Sequence, residues 1–179
     1  MKNHVHLKKM ILSALFLALG FVLPFLTGQI PSVGAMLCPL HIPALLCGFL
    51  LGWPYGLVVG FILPLLRSFI LGMPPLFPTA TAMAFELAAY GAFAGILHKI
   101  LPRKKPFIYV SLLSAMVLGR LIWGSVMFIL LGLRGGSFTF AAFLAGAVLN
   151  ALPGIIIQIV LIPILVMVLD NPKISKLQQ

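Results

Sequence analysis

The sequence predicts an all-α membrane protein, a bundle of six transmembrane helices forming one domain over residues 1–179. Two observations carry this reading. Hydrophobic residues make up 62% of the chain and charged residues 8%, with a mean hydropathy of +1.21, whereas a soluble domain carries about 25% charged residues. Long apolar runs also recur between short breaks of Pro, Gly or Lys/Arg. A spanning helix needs roughly 20 apolar residues, so the chain has room for about six spans and for no separate catalytic domain.

The first run covers residues 10–26. Lys8 and Lys9 precede it as they would in a secretory signal, but no small-x-small cleavage site follows and further spans do, so it reads as an uncleaved first helix. Thr27-Gly28 ends it and opens a Pro/Gly-bearing stretch through Pro39, which reads as a loop too broken for a helix. The second run, 42–51, is short and stops at Gly52-Trp53-Pro54, and the third covers 55–71. Gly72-Met73-Pro74-Pro75 and Pro78 form a second long connection. The fourth run, 79–101, leads into the basic turn Pro102-Arg103-Lys104-Lys105-Pro106. The fifth and sixth, 107–133 and 138–169, are parted by Arg134-Gly135-Gly136-Ser137.

Charge orients these spans. With both termini in the cytoplasm, Lys2, Lys8, Lys9, Lys99, Arg103, Lys104, Lys105, Lys173 and Lys176 all fall inside, nine of the twelve cations. The net charge of +10 is thereby explained by topology and not by nucleic acid. The Pro-rich connections then face outward, and the polar or soft residues they carry, Gln29, Ser32, His41, Met73 and Thr79, suit lids over a site between the helices. Cys38 and Cys47, nine residues apart, have no metal-ligand spacing and read as thiols.

Arg67, Arg120 and Arg134 break the inside pattern. A charge near the bilayer centre is costly and faces a partner or a wet cavity, which makes Arg120 the strongest single clue. Arg120, Trp123, Met127, Leu131 and Arg134 recur at helical spacing and place both arginines on one protein-facing stripe. Glu86 is the one acid inside an apolar run, with Tyr90 a turn deeper on the same face. Its natural partner is Arg120 or Arg67, and a structural ion pair pinning two helices is the plain alternative to a ligand role. Either way at least one arginine is uncompensated, so the outer cavity is positive and suits an anion. Asn150 lies at a depth comparable to Arg120 and His41 opens the second run, which makes both candidate ligand contacts; Gln158 lies too deep.

Small residues form a second constellation. Ala14 and Ala18 stand four apart near the basic end of the first run, a smooth patch where a partner can dock, while Gly48, Gly52, Gly56 and Gly60 repeat every four residues and read as internal packing. The phosphate-binding P-loop, HExxH, GxSxG, paired acids and Cys/His clusters are all missing from the sequence. No catalytic residue, metal ligand or cofactor is therefore assigned, and the chain reads as a binder that borrows energy.

Six helices in 179 residues, the Ala14-x-x-x-Ala18 pattern and three local stretches resemble the substrate-binding S components of energy-coupling factor vitamin transporters. The stretches are Met36-Leu37-Cys38-Pro39-Leu40-His41-Ile42-Pro43-Ala44-Leu45-Leu46-Cys47-Gly48, Gly52-Trp53-Pro54-Tyr55-Gly56 and Gly72-Met73-Pro74-Pro75-Leu76-Phe77-Pro78-Thr79-Ala80, and they are most similar to the pantothenate branch. The resemblance implies a multi-pass protein of a prokaryotic cell membrane that binds a vitamin in an outward pocket. It also implies docking through Ala14 and Ala18 on a transmembrane coupling subunit driven by two ATPases. Pantothenate, with one carboxylate, suits arginines that clasp it bidentately; cationic thiamine does not. Riboflavin, biotin, folate, pyridoxine or hydroxymethylpyrimidine remain open as ligands, as does a non-transport assembly subunit. From burial logic the pocket candidates are Arg67, Glu86, Tyr90, Arg120, Trp123, Asn150 and His41.

Overall fold

A computed structural model describes residues 2–27, 30–102 and 104–169. The described chain is helical from end to end: α1 (Lys2–Val22), α2 (Pro31–Leu37), α3 (His41–Leu51), α4 (Trp53–Leu71), α5 (Thr81–Ile100), α6 (Lys105–Gly132), α7 (Phe140–Leu144) and α8 (Leu152–Leu169). Gln29, Arg103, Lys173 and Lys176, and the side chain of Lys2, lie outside the described residues. Pro24 has no N–H to carry the α-helical ladder onward, and α1 tightens there into a 3₁₀ turn, Leu23–Thr27. Wide turns at Leu76–Ala80 and Ala145–Leu149 lead towards α5 and α8.

Three expectations change. The stretch through Pro39 contains a helix after all: Pro31 sits in the first turn of α2, where its missing N–H costs nothing, and Cys38 ends it in the left-handed conformation at φ 48°. The last apolar run is not one helix, because Pro153 stands in the first turn of α8 and biases the chain before it against continuing. Among the described residues five helical segments, not six, are long and apolar enough to cross a membrane: His4–Leu26, Trp53–Leu71, Leu76–Ile100, Lys105–Gly132 and Leu152–Leu169. The short second run is the exception. At 11 residues α3 is about 16 Å long, half of a roughly 30 Å hydrocarbon core, and ten of its residues are buried. Its apolar character therefore reflects a place in the protein core.

Contacts define two ends of the bundle. At one end His6 Nδ1 lies 3.0 Å from the Tyr55 hydroxyl, the Lys9 ammonium sits 5.6 Å from the same ring, and His98 meets Phe49 edge to face. The start of α1, the α3–α4 turn and the end of α5 thus gather there with Lys8, Lys99, Lys104 and Lys105, and the lysine at the end of α5 complements its helix dipole. At the other end gather the end of α1, the start of α3, the end of α4, the start of α5, the second half of α6 and the start of α8.

Helix α5 is the hub, packed against α3, α4 and α6. Glycines make this possible: a Cβ on Gly48 would overlap the Gly91 carbonyl, and one on Gly91 would overlap the Gly56 carbonyl. The seam of α3, α4 and α5 is therefore backbone against backbone, which agrees with the packing role expected of Gly48, Gly56 and Gly60, whereas Gly52 turns the chain between α3 and α4 at φ 99°. The Tyr90 ring packs against Gly119 of α6, and Gly154 of α8 approaches the last carbonyls of α2. This close core holds the opposite helix ends apart around a void.

Candidate functional site

That void is a cavity of about 340 Å³ at the end away from the lysines. Helices α3, α4, α5 and α6 reach it, together with the segments that follow α1 and precede α8. Pro24 comes from the end of α1, Cys38 and His41 from the α2–α3 junction, Arg67 from α4, and Met73, Pro74, Pro75 and Thr79 from the α4–α5 connection. Met83 and Glu86 come from α5, Arg120 and Trp123 from α6, and Gly146 and Asn150 from the approach to α8.

Glu86 settles the pairing that the sequence leaves open. Its Oε1 lies 2.9 Å from Arg120 Nη1 and 3.3 Å from His41 Nε2, and the carboxylate is 1% exposed. One acid thereby ties α5 to both α6 and α3. Arg120 Nη2 donates to the Cys38 sulfur at 3.6 Å, which fixes the other edge of the guanidinium. Arg67 is held differently, with Nη1 donating to the Phe21 carbonyl at 2.9 Å and the guanidinium 5.8 Å from the Phe25 ring. In a regular 3₁₀ ladder the N–H that reaches the Phe21 carbonyl belongs to residue 24, which here is proline, so Arg67 supplies a donor the backbone lacks.

Of the seven pocket candidates, six line the cavity: His41, Arg67, Glu86, Arg120, Trp123 and Asn150. Tyr90 does not; it is fully buried behind His41, ring centres 5.1 Å apart. Trp123 stands edge-on to Phe138 and seals the α6 side, with Gly146 leaving room for its indole. Met73 and Thr79 border the cavity as the lid reading expects, whereas Ser32 is exposed away from it. Arg134 does not share the cavity with Arg120: it is exposed and stacks on Phe77 at 3.9 Å. Gln158 is buried and outside the lining. Cys38 is a wall residue that sequence reasoning passed over, and its place three residues before His41 is the signal that points to it. Among the described residues no cluster of His, Cys, Asp or Glu has metal-binding geometry.

Four of the five ionisable wall groups, Cys38, His41, Arg67 and Glu86, are buried, and the chamber carries two guanidiniums and one carboxylate. On the outer face of α1, outside the cavity lining, Ala14 and Ala18 are exposed among Met10, Ile11, Leu15 and Leu19.

A family model described as ECF transporter, substrate-specific component, matches residues 8–166. The chain belongs to this family. As an energy-coupling factor substrate-specific component it is a transporter subunit and a multi-pass membrane protein, and the match takes in every element that lines the cavity. Neither the comparison with curated proteins nor that with solved structures finds a match.

Proposed function

We propose that this substrate-specific component captures a small anionic vitamin, foremost pantothenate, in the cavity walled by Arg67, Glu86 and Arg120. The observation that carries the reading is the charge count in that chamber: two fixed cations against one acid. A buried excess cation is costly in hydrocarbon, and a ligand carboxylate offsets that cost while forming charge-assisted hydrogen bonds. A cavity of about 340 Å³ falls at the low end of the roughly 300–1,000 Å³ usual for small-molecule sites, which suits a compact vitamin. A purely structural ion pair would need no void beside it, so the assembly-subunit alternative is the weaker one.

The lysine-rich end faces the cytoplasm by the positive-inside rule, so the cavity opens outward. Delivery then takes place when the Ala14 and Ala18 face docks on a transmembrane coupling subunit energised by two ATPases, in the prokaryotic cell membrane. Support for the vitamin comes from the local resemblance of the residues around His41 and Pro74 and from the charge of the site. Calorimetric titration of the purified protein with pantothenate tests it: heat of binding at micromolar ligand is expected. Silence there, with tight binding of another vitamin, would reassign the substrate.

A further inference from the structure

The two guanidiniums of the cavity are not equivalent. Arg120 has its counter-charge in Glu86 at 2.9 Å and a second contact in the Cys38 sulfur. Arg67 has no counter-charge among the described residues. It is 4% exposed and borders the cavity, yet among the described residues its partners are a backbone carbonyl and an aromatic ring. Neither neutralises a cation that stays protonated at any physiological pH. The unbalanced charge of the chamber therefore resides on α4, and the balanced pair on α5 and α6.

The balanced side has its own unused chemistry. His41 is 2% exposed, and both of its ring nitrogens lack a hydrogen-bond partner among the described residues apart from the ion-pair contact of Nε2 with Glu86. Buried polar atoms left in this state are costly until a partner arrives. A neutral hydroxyl or amide fits there, because it adds hydrogen bonds without upsetting the Glu86–Arg120 charge balance.

We infer that Arg67 is the carboxylate anchor of the site, and that the Glu86–Arg120–His41 cluster reads the neutral, hydrogen-bonding part of the same ligand. This rests on the anionic-vitamin reading and narrows it to a molecule with its carboxylate at one end and hydroxyl or amide groups at the other. Arg67 thereby sets specificity for the acid, while the cluster contributes affinity common to the acid and its neutral analogues.

The test compares pantothenate with pantothenol, in which a primary alcohol replaces the carboxylate, by calorimetry on the full chain in detergent. Wild type is expected to favour the acid by at least about tenfold, the size of one charge-assisted hydrogen bond. Arg67→Gln keeps a donor for the Phe21 carbonyl and removes the charge; it should bind both compounds alike, with pantothenol affinity near wild type as proof of folding. Arg67→Lys should restore part of the preference. The charge-neutral double variant Glu86→Gln/Arg120→Gln should weaken both compounds and keep their ratio. Equal binding of acid and alcohol by wild type overturns the anchor, as does a ratio that survives Arg67→Gln and vanishes in the double variant. If wild type binds neither compound, the pantothenate assignment falls, and biotin with biotinamide takes the place of the pair in the same variants. Binding of neither acid overturns the anchor too.

Discussion

Glu86 and Arg120 meet at 2.9 Å across the contact of α5 with α6, the carboxylate 1% exposed and the guanidinium side chain 14%. Removing one member strands the other. Arg120→Gln leaves the Glu86 carboxylate without its counter-charge and is expected to destabilise the fold by about 3–5 kcal/mol, the usual cost of breaking a buried pair from one side. The double variant Glu86→Gln/Arg120→Gln should recover most of that loss, since it buries two neutral amides. Thermal unfolding in detergent through the full double-mutant cycle measures the coupling. Strictly additive losses would mean that the two groups do not stabilise each other.

Cys38 and Cys47 give a chemical reading of where the cavity opens. Both are buried, but Cys38 borders the void while Cys47 sits in the middle of α3 with no exposed surface. Thiol reactivity follows access, so N-ethylmaleimide should modify Cys38 at least about tenfold faster than Cys47, and bound pantothenate should slow it. Peptide mass spectrometry after timed quenching distinguishes the two sites. With a membrane-impermeant thiosulfonate on sealed cells, modification of Cys38 is expected from outside. Reaction only in inverted vesicles would reverse the orientation proposed from the lysines.

The cost of polar groups in hydrocarbon is what made Arg67, Glu86, Arg120, Asn150 and His41 legible from sequence alone. Four of them break an apolar run and His41 opens one, and all five border one cavity. Which arginine pairs with Glu86 was not legible, because the choice depends on how α4, α5 and α6 rotate about their axes, and the glycine seam decides that rotation. Tyr90 shares the face of Glu86, yet one further turn carries it below the cavity floor and behind His41. Arg134 falls on the stripe of Arg120 in sequence, but α6 ends at Gly132, and the turn beyond it carries Arg134 to Phe77. Helix α3 is the ambiguous case, since a buried core helix and a membrane span are both apolar and its 11 residues fall short of the length that marks a span. Helix α2 was hidden by its proline and glycine, which read as breakers unless the proline is known to occupy the first turn.

The glycine seam yields a sharp contrast between positions of the same residue type. At Gly91 a Cβ would meet the Gly56 carbonyl carbon and oxygen, backbone atoms that cannot rotate away. Gly91→Val should therefore push α4 from α5 and cost at least the 1–3 kcal/mol or so typical of overpacking, with loss of ligand binding because the cavity walls hang from the same helices. At Gly132, near the exposed end of α6, nothing lies within 4 Å of a Cβ. Gly132→Ala should change stability by less than about 0.5 kcal/mol and leave binding intact. Parallel melting curves and ligand titrations check both, and equal tolerance of the two substitutions would contradict the close approach of α4 and α5.

Ala14 and Ala18 test whether capture and delivery are separable. Both are exposed on α1, on a face that carries Met10, Ile11, Leu15 and Leu19, whereas the buried residues of that helix, Phe16 and Gly20, point into the bundle. Enlarging an outward position adds no clash within the chain, but it keeps another helix from the close approach that small residues allow. Ala14→Leu/Ala18→Leu should accordingly bind pantothenate with unchanged affinity and fail to co-purify with the coupling subunit and its ATPases. Uptake into cells should fall to background with the assembly. If affinity fell together with assembly, the alanines would be supporting the fold of α1 instead of offering a surface, and the two-step division between chamber and docking face would fail. If assembly survived, a different face of the chain would have to meet the coupling subunit.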